Sequence, residues 1–495
     1  MSKLIFAGVT QSAKSLSKRL LKGELRRIHQ GIYTEDLETP LTQIVQKDWM
    51  SIIPYIVSNG ILSFRTAFDL KPVENIVLMT SSYTKTIPLP GLTIKVQKGD
   101  YQHFIEPVSF NLSRSNETRM LLENLSVVRA KTMKLIKVVG QQGVEHYLSK
   151  VLRVRGEAHL NRIRDDAKQI AMLLSLESEY KTLNQIISAL LSTHSDDFLK
   201  TPYAKAMAKK VPYDATRIQL FESLALYLKR CIFMKRAYLY DKKSFNNLSF
   251  FESYFSNYIE GTRFTIDEAE NIVFNKTEIK HRHADSHDVL ALYYLTNDYL
   301  QISVTPRSIG EFLELLQSRH SLLMQERLDK RPGEFKNHVN MAGNTTFVLP
   351  SEVIGTLTVG FDIYTRMQSG LEKALFMHFL ISEVHPFEDG NGRIARIMMN
   401  AELVQDNSYK IIIPTVHRDN YLYALKRASR DHNFQIYCKV LDQAQAYSAS
   451  IPWFDYADAR EKLVHDHADK SPDEGLPIFN RALRELSLSE CALLQ

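Results

Sequence analysis

Residues His385–Arg396 read HPFEDGNGRIAR, and both the fold and the chemistry of the chain turn on this stretch. Upstream, GLEKALFMHFLISEV repeats Leu371, Ala374, Leu375, Phe379, Ile381 and Val384 near helical spacing, which predicts a buried helix ending close to Pro386. Downstream, GRIARIMMNAEL starts a second apolar helix at about Gly392. His385 is therefore expected at a helix terminus held by core packing, with Phe387 anchoring the loop. A Gly390-Asn391-Gly392 turn running into a helix presents backbone N–H groups and the positive end of a helix dipole to one point. Glycine also lets the backbone approach a phosphate closely. Arg393 and Arg396, three residues apart, are expected on one side of the first turn. Asp389 supplies a hard oxygen ligand suited to Mg²⁺ that also carries phosphates. A cradle, two cations, a metal ligand and a base fit phosphoryl or nucleotidyl transfer. A plain helix-loop-helix turn with a glycine cap accounts for Gly390, but not for the other residues at these offsets.

A chain of 495 residues is too long for one ordinary core. Its 44% hydrophobic and 24% charged content belongs to a soluble globular protein. The formal charge of +6 is mild, so the placement of cations matters more than their sum. Cys231, Cys438 and Cys491 lie far apart, which argues against a disulfide scaffold or zinc ribbon and fits a reducing compartment. The start MSKLIFAGVTQSAKS lacks the apolar core of a signal peptide, and no apolar run of about 18 residues occurs. The expectation is a cytoplasmic protein with no membrane partner.

No fixed-period repeat is present. The first hundred residues are mixed: a helix in QSAKSLSKRLLKG, then strand, turn at Gln30–Gly31 and strand in ELRRIHQGIYT. Strand-like ENIVLMTSS and GLTIKVQKG follow, interrupted by Pro88, Pro90 and Gly91. From about residue 115, stretches such as ETRMLLENLSVVRAKTMKLIKVV turn helical, with a polar break near Ser195–Pro202. The segment after Ser450 reads as a helical appendage interrupted by DKSPDEGLP. GVTQSAKS approaches a phosphate-binding loop, but Ala13 replaces the glycine that would curl around the phosphates. The same region collects Lys14, Lys18, Arg19, Lys22, Arg26 and Arg27 with only Glu24 nearby. A helix with Ala13, Leu16, Leu20 and Leu21 near one face, followed by a hairpin, outlines a winged helix-turn-helix whose cations meet DNA phosphates. A solvated basic face is the plain alternative.

HPFEDGNGRIAR matches the Fic (Fido-domain) signature H-x-F-x-[DE]-G-N-G-R-x-x-R at every fixed position. HVNMAGNTTFVLP resembles that family's β-hairpin flap. HRDNYLYAL matches its R-x-x-Y-x-x-A-L helix through Arg418, Tyr421, Ala424 and Leu425. The resemblance covers roughly residues 205–450, and KGELRRIHQGIYT resembles the start of AbiEi-type winged-helix antitoxin and regulator domains through Gly23, Leu25, Arg27, Gly31 and Tyr33. The implied fold is mainly α: a Fic helical bundle with a small β-hairpin flap, preceded by an α+β winged-helix-like domain. The expected divisions are 1–100, a helical middle region 101–204, the Fic domain 205–450 and a tail 451–495.

The resemblance implies AMP transfer from ATP to a Ser, Thr or Tyr hydroxyl of a target protein or of the chain itself, with pyrophosphate leaving. It makes His385 the base, Phe387 structural and Asp389 the Mg²⁺ ligand. Gly390, Asn391 and Gly392 form the anion hole, Arg393 contacts the phosphates, Arg396 the γ-phosphate, and Tyr421 belongs to the ATP site. A second stretch, SNYIEG, is locally only a helix end, with Ser256 and Glu260 one turn apart and Gly261 at a cap. Beside a complete Fic signature it resembles the family's inhibitory [ST]-x-x-x-E-[GN] helix, near residues 250–261, whose glutamate pairs with Arg396 in place of the γ-phosphate. The competing account is a DNA-binding or antitoxin-type regulator whose Fic domain senses nucleotide. A homo-oligomer is open in either account.

Overall fold

The computed structural model describes residues 4–9, 12–109, 111–128, 136–192, 196–343 and 345–491. Thr10 and Gln11 of GVTQSAKS, residues 129–135 of the helical stretch after Glu117, Ser195 of the polar break and Asn344 of the flap lie outside them. Two compact units divide the chain, Met1–Lys210 and Val211–Gln495.

In the first unit the strands Leu4–Phe6, Ile32–Thr34 and Arg26–His29 make an antiparallel sheet in that order, accompanied by the helix Ala13–Leu21. Ser12 caps this helix by accepting from Ser15 N–H. A six-stranded mixed sheet follows, ordered Lys85–Leu89, Leu92–Lys98, Ile76–Ser81, Gly60–Leu62, Leu112–Ser115, Ile105–Ser109. Pro88 does not break its strand, because Lys85–Leu89 is a sheet edge, where a missing N–H costs no ladder bond. The sheet runs on to Ser115, so it crosses the division expected at residue 100, and the region 101–204 is not wholly helical. Ile105–Ser109 hides from a sequence reading because its burial alternates weakly and it carries Pro107. Helices Leu41–Ile56, Phe64–Asp69, Glu117–Glu123, Gly140–Leu174, Glu177–Leu190 and Pro202–Ala208 also belong to the unit, the long one interrupted at Gly156 (φ 76°, ψ 178°).

The second unit is a helical bundle around the buried pair Leu371–Val384 and Asn391–Gln405. Two short antiparallel pairs, the flap Met341–Ala342 with Thr345–Thr346 and Cys231–Ile232 with Glu490–Cys491, are β elements of this unit. Residues after Ser450 are not an appendage: Trp453, Ala459, Leu463, Phe479 and Leu483 belong to the main apolar core. Their four-residue spacing (459/463, 479/483) is masked in sequence by the charged residues between them.

The helix Lys242–Ile259 buries Phe245, Phe250, Phe251 and Phe255 and aims polar groups at Asn391–Gln405. Glu252 accepts from Asn400 (2.8 Å), Ser256 from Arg396 (2.9 Å), and Glu260 lies against Gly392. Four-residue steps up one helix thus meet four-residue steps down the other, as antiparallel helices require. Lys410 closes this ladder, 2.6 Å from Glu252, with both side chains almost wholly buried. Removing one partner of such a pair leaves a bare buried charge at a cost of about 3–5 kcal/mol. Lys410→Met is accordingly expected to destabilise the second unit by about that amount in denaturant titration; a change below about 1 kcal/mol would contradict the ladder's role.

Candidate active site

The helix Leu371–Val384 ends at His385 in a left-handed conformation (φ 52°, ψ 60°), which turns the chain sharply into the loop. Phe387 is fully buried and stacks on His320 at 3.7 Å and 3°. Asn391 braces the loop with both ends of its amide: Oδ1 accepts from Phe387 N–H (2.8 Å) and Nδ2 donates to Phe387 C=O (2.9 Å). Asn340, just before the flap, also donates to Phe387 C=O (2.9 Å). Gly390 sits at φ 73° as the cap of Asn391–Gln405, a backbone state that suits glycine. The helix therefore begins beside His385 with no side-chain cap among the described residues.

His385 lies against Phe347, with ring centroids 3.9 Å apart and planes at 9°. Its Nδ1 is 3.3 Å from Ser382 C=O, which can only accept, so Nδ1 carries the proton and Nε2 keeps a free lone pair. Burial pushes the imidazole down to about 4, and the nearby Lys336 ammonium adds to this, against the opposing pull of Ser382 C=O, Glu260 and Asp389. The ring is thus neutral and able to accept a proton at physiological pH.

One cavity of about 300 Å³ gathers His385, Gly392, Arg396, Tyr421 and Glu260. Arg396 is 5% exposed and engaged through two of its nitrogens: Nε donates to Ser256 Oγ (2.9 Å), Nη2 to Ser256 C=O (3.0 Å) and to Glu260 Oε1 (2.6 Å). Burial lowers the Arg396 pKa, but Glu260 and then Tyr421 outweigh it and hold the guanidinium charged. Glu260 caps its helix and Gly261 follows at φ 98°. The Glu260 carboxylate occupies the space above Gly392: a Cβ there would stand 2.3 Å from Oε1. Ser256 and Glu260 therefore meet Arg396 together.

Arg393 departs from expectation. It does not share the cavity with Arg396 but turns to Asp288, with Nη1 2.7 Å from Oδ2 and both side chains buried. Arg327 reaches the same Oδ2 at 2.8 Å. Arg393 Nε and Asp288 Oδ1 are buried with no partner among the described residues. Asp288 lies 105 residues from Arg393, and no local pattern signals it. No local pattern signals His320 or Lys336 either, whereas Asn340 and Phe347 lie within the flap-like HVNMAGNTTFVLP. Asp389 is half-buried, and its Oδ1 accepts from Gly390 N–H (2.7 Å). Among the described residues no group of three metal-ligating side chains is present. Mg²⁺ that keeps its waters and takes phosphate oxygens needs only one or two carboxylates, and Asp389 suits that limited role.

A buried helix pair, a glycine-capped helix start, a neutral histidine base and an arginine in one cavity define an enzyme-like anion site. Residues 312–403 match the Fic/DOC family model. The chain is 25% identical over 184 residues to a protein adenylyltransferase Fic of Drosophila melanogaster, covering 36% of each. It is 26% identical over the same length to the namesake in Drosophila willistoni, again covering 36% of each. The match thus spans about a third of the length of these curated relatives. Among solved structures, a Fic domain containing signaling protein from Bacteroides thetaiotaomicron aligns at 18% identity and TM-score 0.33, over 54% of this chain and 91% of that one. Fic-1 from C. elegans aligns at 14% identity and TM-score 0.36, over 65% and 97%.

A base whose pKa is lowered stays active further into acid. The acid limb of the pH–rate profile is expected well below the ordinary histidine value of about 6.5, toward the value of about 4 set by burial. Activity would then fall only as pH drops through that lower range. A limb at or above about 6.5 would show that His385 is solvated or is not the base.

Proposed function

We propose that the chain is a self-inhibited protein adenylyltransferase. It transfers AMP from ATP to a Ser, Thr or Tyr hydroxyl of a target protein or of itself. The observation that carries this reading is the Glu260–Arg396 contact of 2.6 Å inside the cavity that holds His385. The names of the curated relatives agree with AMP transfer.

In this reading His385 Nε2 takes the hydroxyl proton, the freed oxygen attacks the α-phosphorus, and the bond to the β-phosphate oxygen breaks to release pyrophosphate. N–H groups at the start of Asn391–Gln405 face the charge that develops on the phosphates. Mg²⁺, held by Asp389, would neutralise phosphate charge when bound. Arg396 would take the γ-phosphate, a position contested by Glu260, which leaves the nucleotide misplaced and the enzyme restrained. Arg393 would reach the phosphates only after exchanging its contact with Asp288.

Glu260→Gly is expected to raise transfer from labelled ATP by roughly tenfold or more, since loss of a charge-assisted contact exceeds about 1.4 kcal/mol. Equal or lower labelling would reject self-inhibition. His385→Ala in that background is expected to lower the rate by about 10²–10⁴ while ATP binding persists; joint loss of binding and rate would make His385 a structural residue.

A second reading, DNA binding by the first unit, rests on Lys14, Lys18 and Lys22 standing exposed at four-residue steps beside exposed Arg27. Arg19 is engaged by Glu24 and Glu35, and Arg26 by the carbonyls of Asp36 and Thr39. Four cations rather than six are therefore available to phosphates. A gel shift with the full chain is expected to weaken with salt at a log–log slope of about −3 to −4. The slope should collapse when these four become glutamate. No shift at low salt would remove DNA from the account.

A further inference from the structure

His378, seven residues before His385, is fully buried and lies outside the catalytic cavity's lining. Its Nδ1 is 2.9 Å from the Tyr437 hydroxyl and its Nε2 is 2.8 Å from the Tyr421 hydroxyl. The Tyr437 hydroxyl is in turn 2.9 Å from the Leu375 backbone carbonyl.

The direction of every proton in this chain follows from its far end. A carbonyl only accepts, so Tyr437 gives its one hydroxyl proton to Leu375 C=O. Tyr437 can then only accept from His378, so Nδ1 carries a proton. Burial, with Arg396 nearby, drives the His378 pKa down to about 3, so the ring is neutral and Nε2 is bare. Nε2 accepts, and Tyr421 must donate to it. The Tyr421 oxygen keeps only lone pairs for its other neighbour, Arg396, whose guanidinium carbon lies 6.0 Å from the Tyr421 ring centroid in the same cavity.

We propose that His378 is a positioning residue for Arg396: its Nδ1–H tautomer turns the Tyr421 oxygen into a fixed acceptor that holds the guanidinium toward the anion site. The opposite tautomer would turn the Tyr421 proton toward Arg396 and set two donors against each other. Glu260 and Ser256 hold the guanidinium in the inhibited state, whereas Tyr421 belongs to a neighbouring wall anchored in the core. When Glu260 leaves, Tyr421 keeps Arg396 aimed at whichever anion replaces it. The inference rests on the proposed function only in naming that anion as a nucleotide phosphate.

Two measurements on the full chain test it. With ¹⁵N-labelled histidine, His378 is expected to show a protonated Nδ1 and a bare Nε2, unchanged from about pH 5 to 8. An Nε2–H tautomer or a cationic ring would overturn the proposal. In the Glu260→Gly background, Tyr421→Phe is expected to raise the ATP KM by roughly tenfold, the size of one hydrogen bond to a charged group, with a smaller change in kcat. His378→Leu should do the same, and the double variant should be no worse than Tyr421→Phe alone. Additive losses would mean that His378 acts through packing and not through Tyr421. Tyr437→Phe removes one hydroxyl and keeps the ring, so it serves if His378→Leu does not fold. It should raise KM by a smaller factor, and that effect should vanish beside Tyr421→Phe. Calorimetry with inorganic tripolyphosphate on the same variants repeats the cycle without catalysis. If no variant transfers AMP, the proposed function fails while tripolyphosphate affinity and the tautomer still decide the role of His378.

Discussion

A guanidinium that is 5% exposed must be given partners, because an unpaired charge in a protein interior costs several kcal/mol. Arg396 meets this constraint with Ser256 and Glu260 at the end of one helix, with Tyr421 of another helix close by. Much of the second unit is arranged so that those partners arrive together. The helix Lys242–Ile259 is pinned one turn at a time, through Glu252 to Asn400 and Ser256 to Arg396, with Lys410 sealing the end away from the site. The polar groups that engage Arg396 are therefore part of the same register that packs the bundle.

This register has a mechanical consequence. Phe250, Phe251 and Phe255 are fully buried along the helix, whereas Glu260 stands at its cap with a side chain 31% exposed. Moving the whole helix would expose a row of aromatics, each worth about 1.5–3 kcal/mol of burial. Rotating Glu260 breaks one charged contact and leaves Ser256 on Arg396. The last turn and Gly261 at φ 98° are the cheap place for the contact to open.

The central cassette was legible because its demands are local. A glycine turn needs glycines, a helix start needs free N–H groups, and a buried helix shows its apolar spacing within a dozen residues. Long-range partners were not legible. Asp288 reaches Arg393 across 105 residues, and His378 looks in sequence like one more member of an apolar helix face. The tail and the strand Ile105–Ser109 are hard to read for different reasons: the tail's apolar residues join a core made elsewhere in the chain, and the strand buries none of its own. The six basic residues near the N-terminus were read as equals, yet Arg19 and Arg26 are held by partners within their own subdomain.

The divergence of Arg393 and Arg396 shows how helix geometry assigns different work to like residues. Three residues advance about 300° around a helix, so the two side chains leave about 60° apart and need not share a neighbour. Arg396 points at groups that can be exchanged: a hydroxyl, a carbonyl and one half-exposed carboxylate. Arg393 points at Asp288, 1% exposed, where a second arginine, Arg327, competes for the same oxygen. That sharing weakens the hold of Asp288 on either cation, and Arg327 remains to neutralise it if Arg393 leaves. A buried carboxylate with two cations can therefore release one without being stranded, whereas Arg396 without Glu260 keeps only the neutral Ser256 oxygens until another anion takes its place.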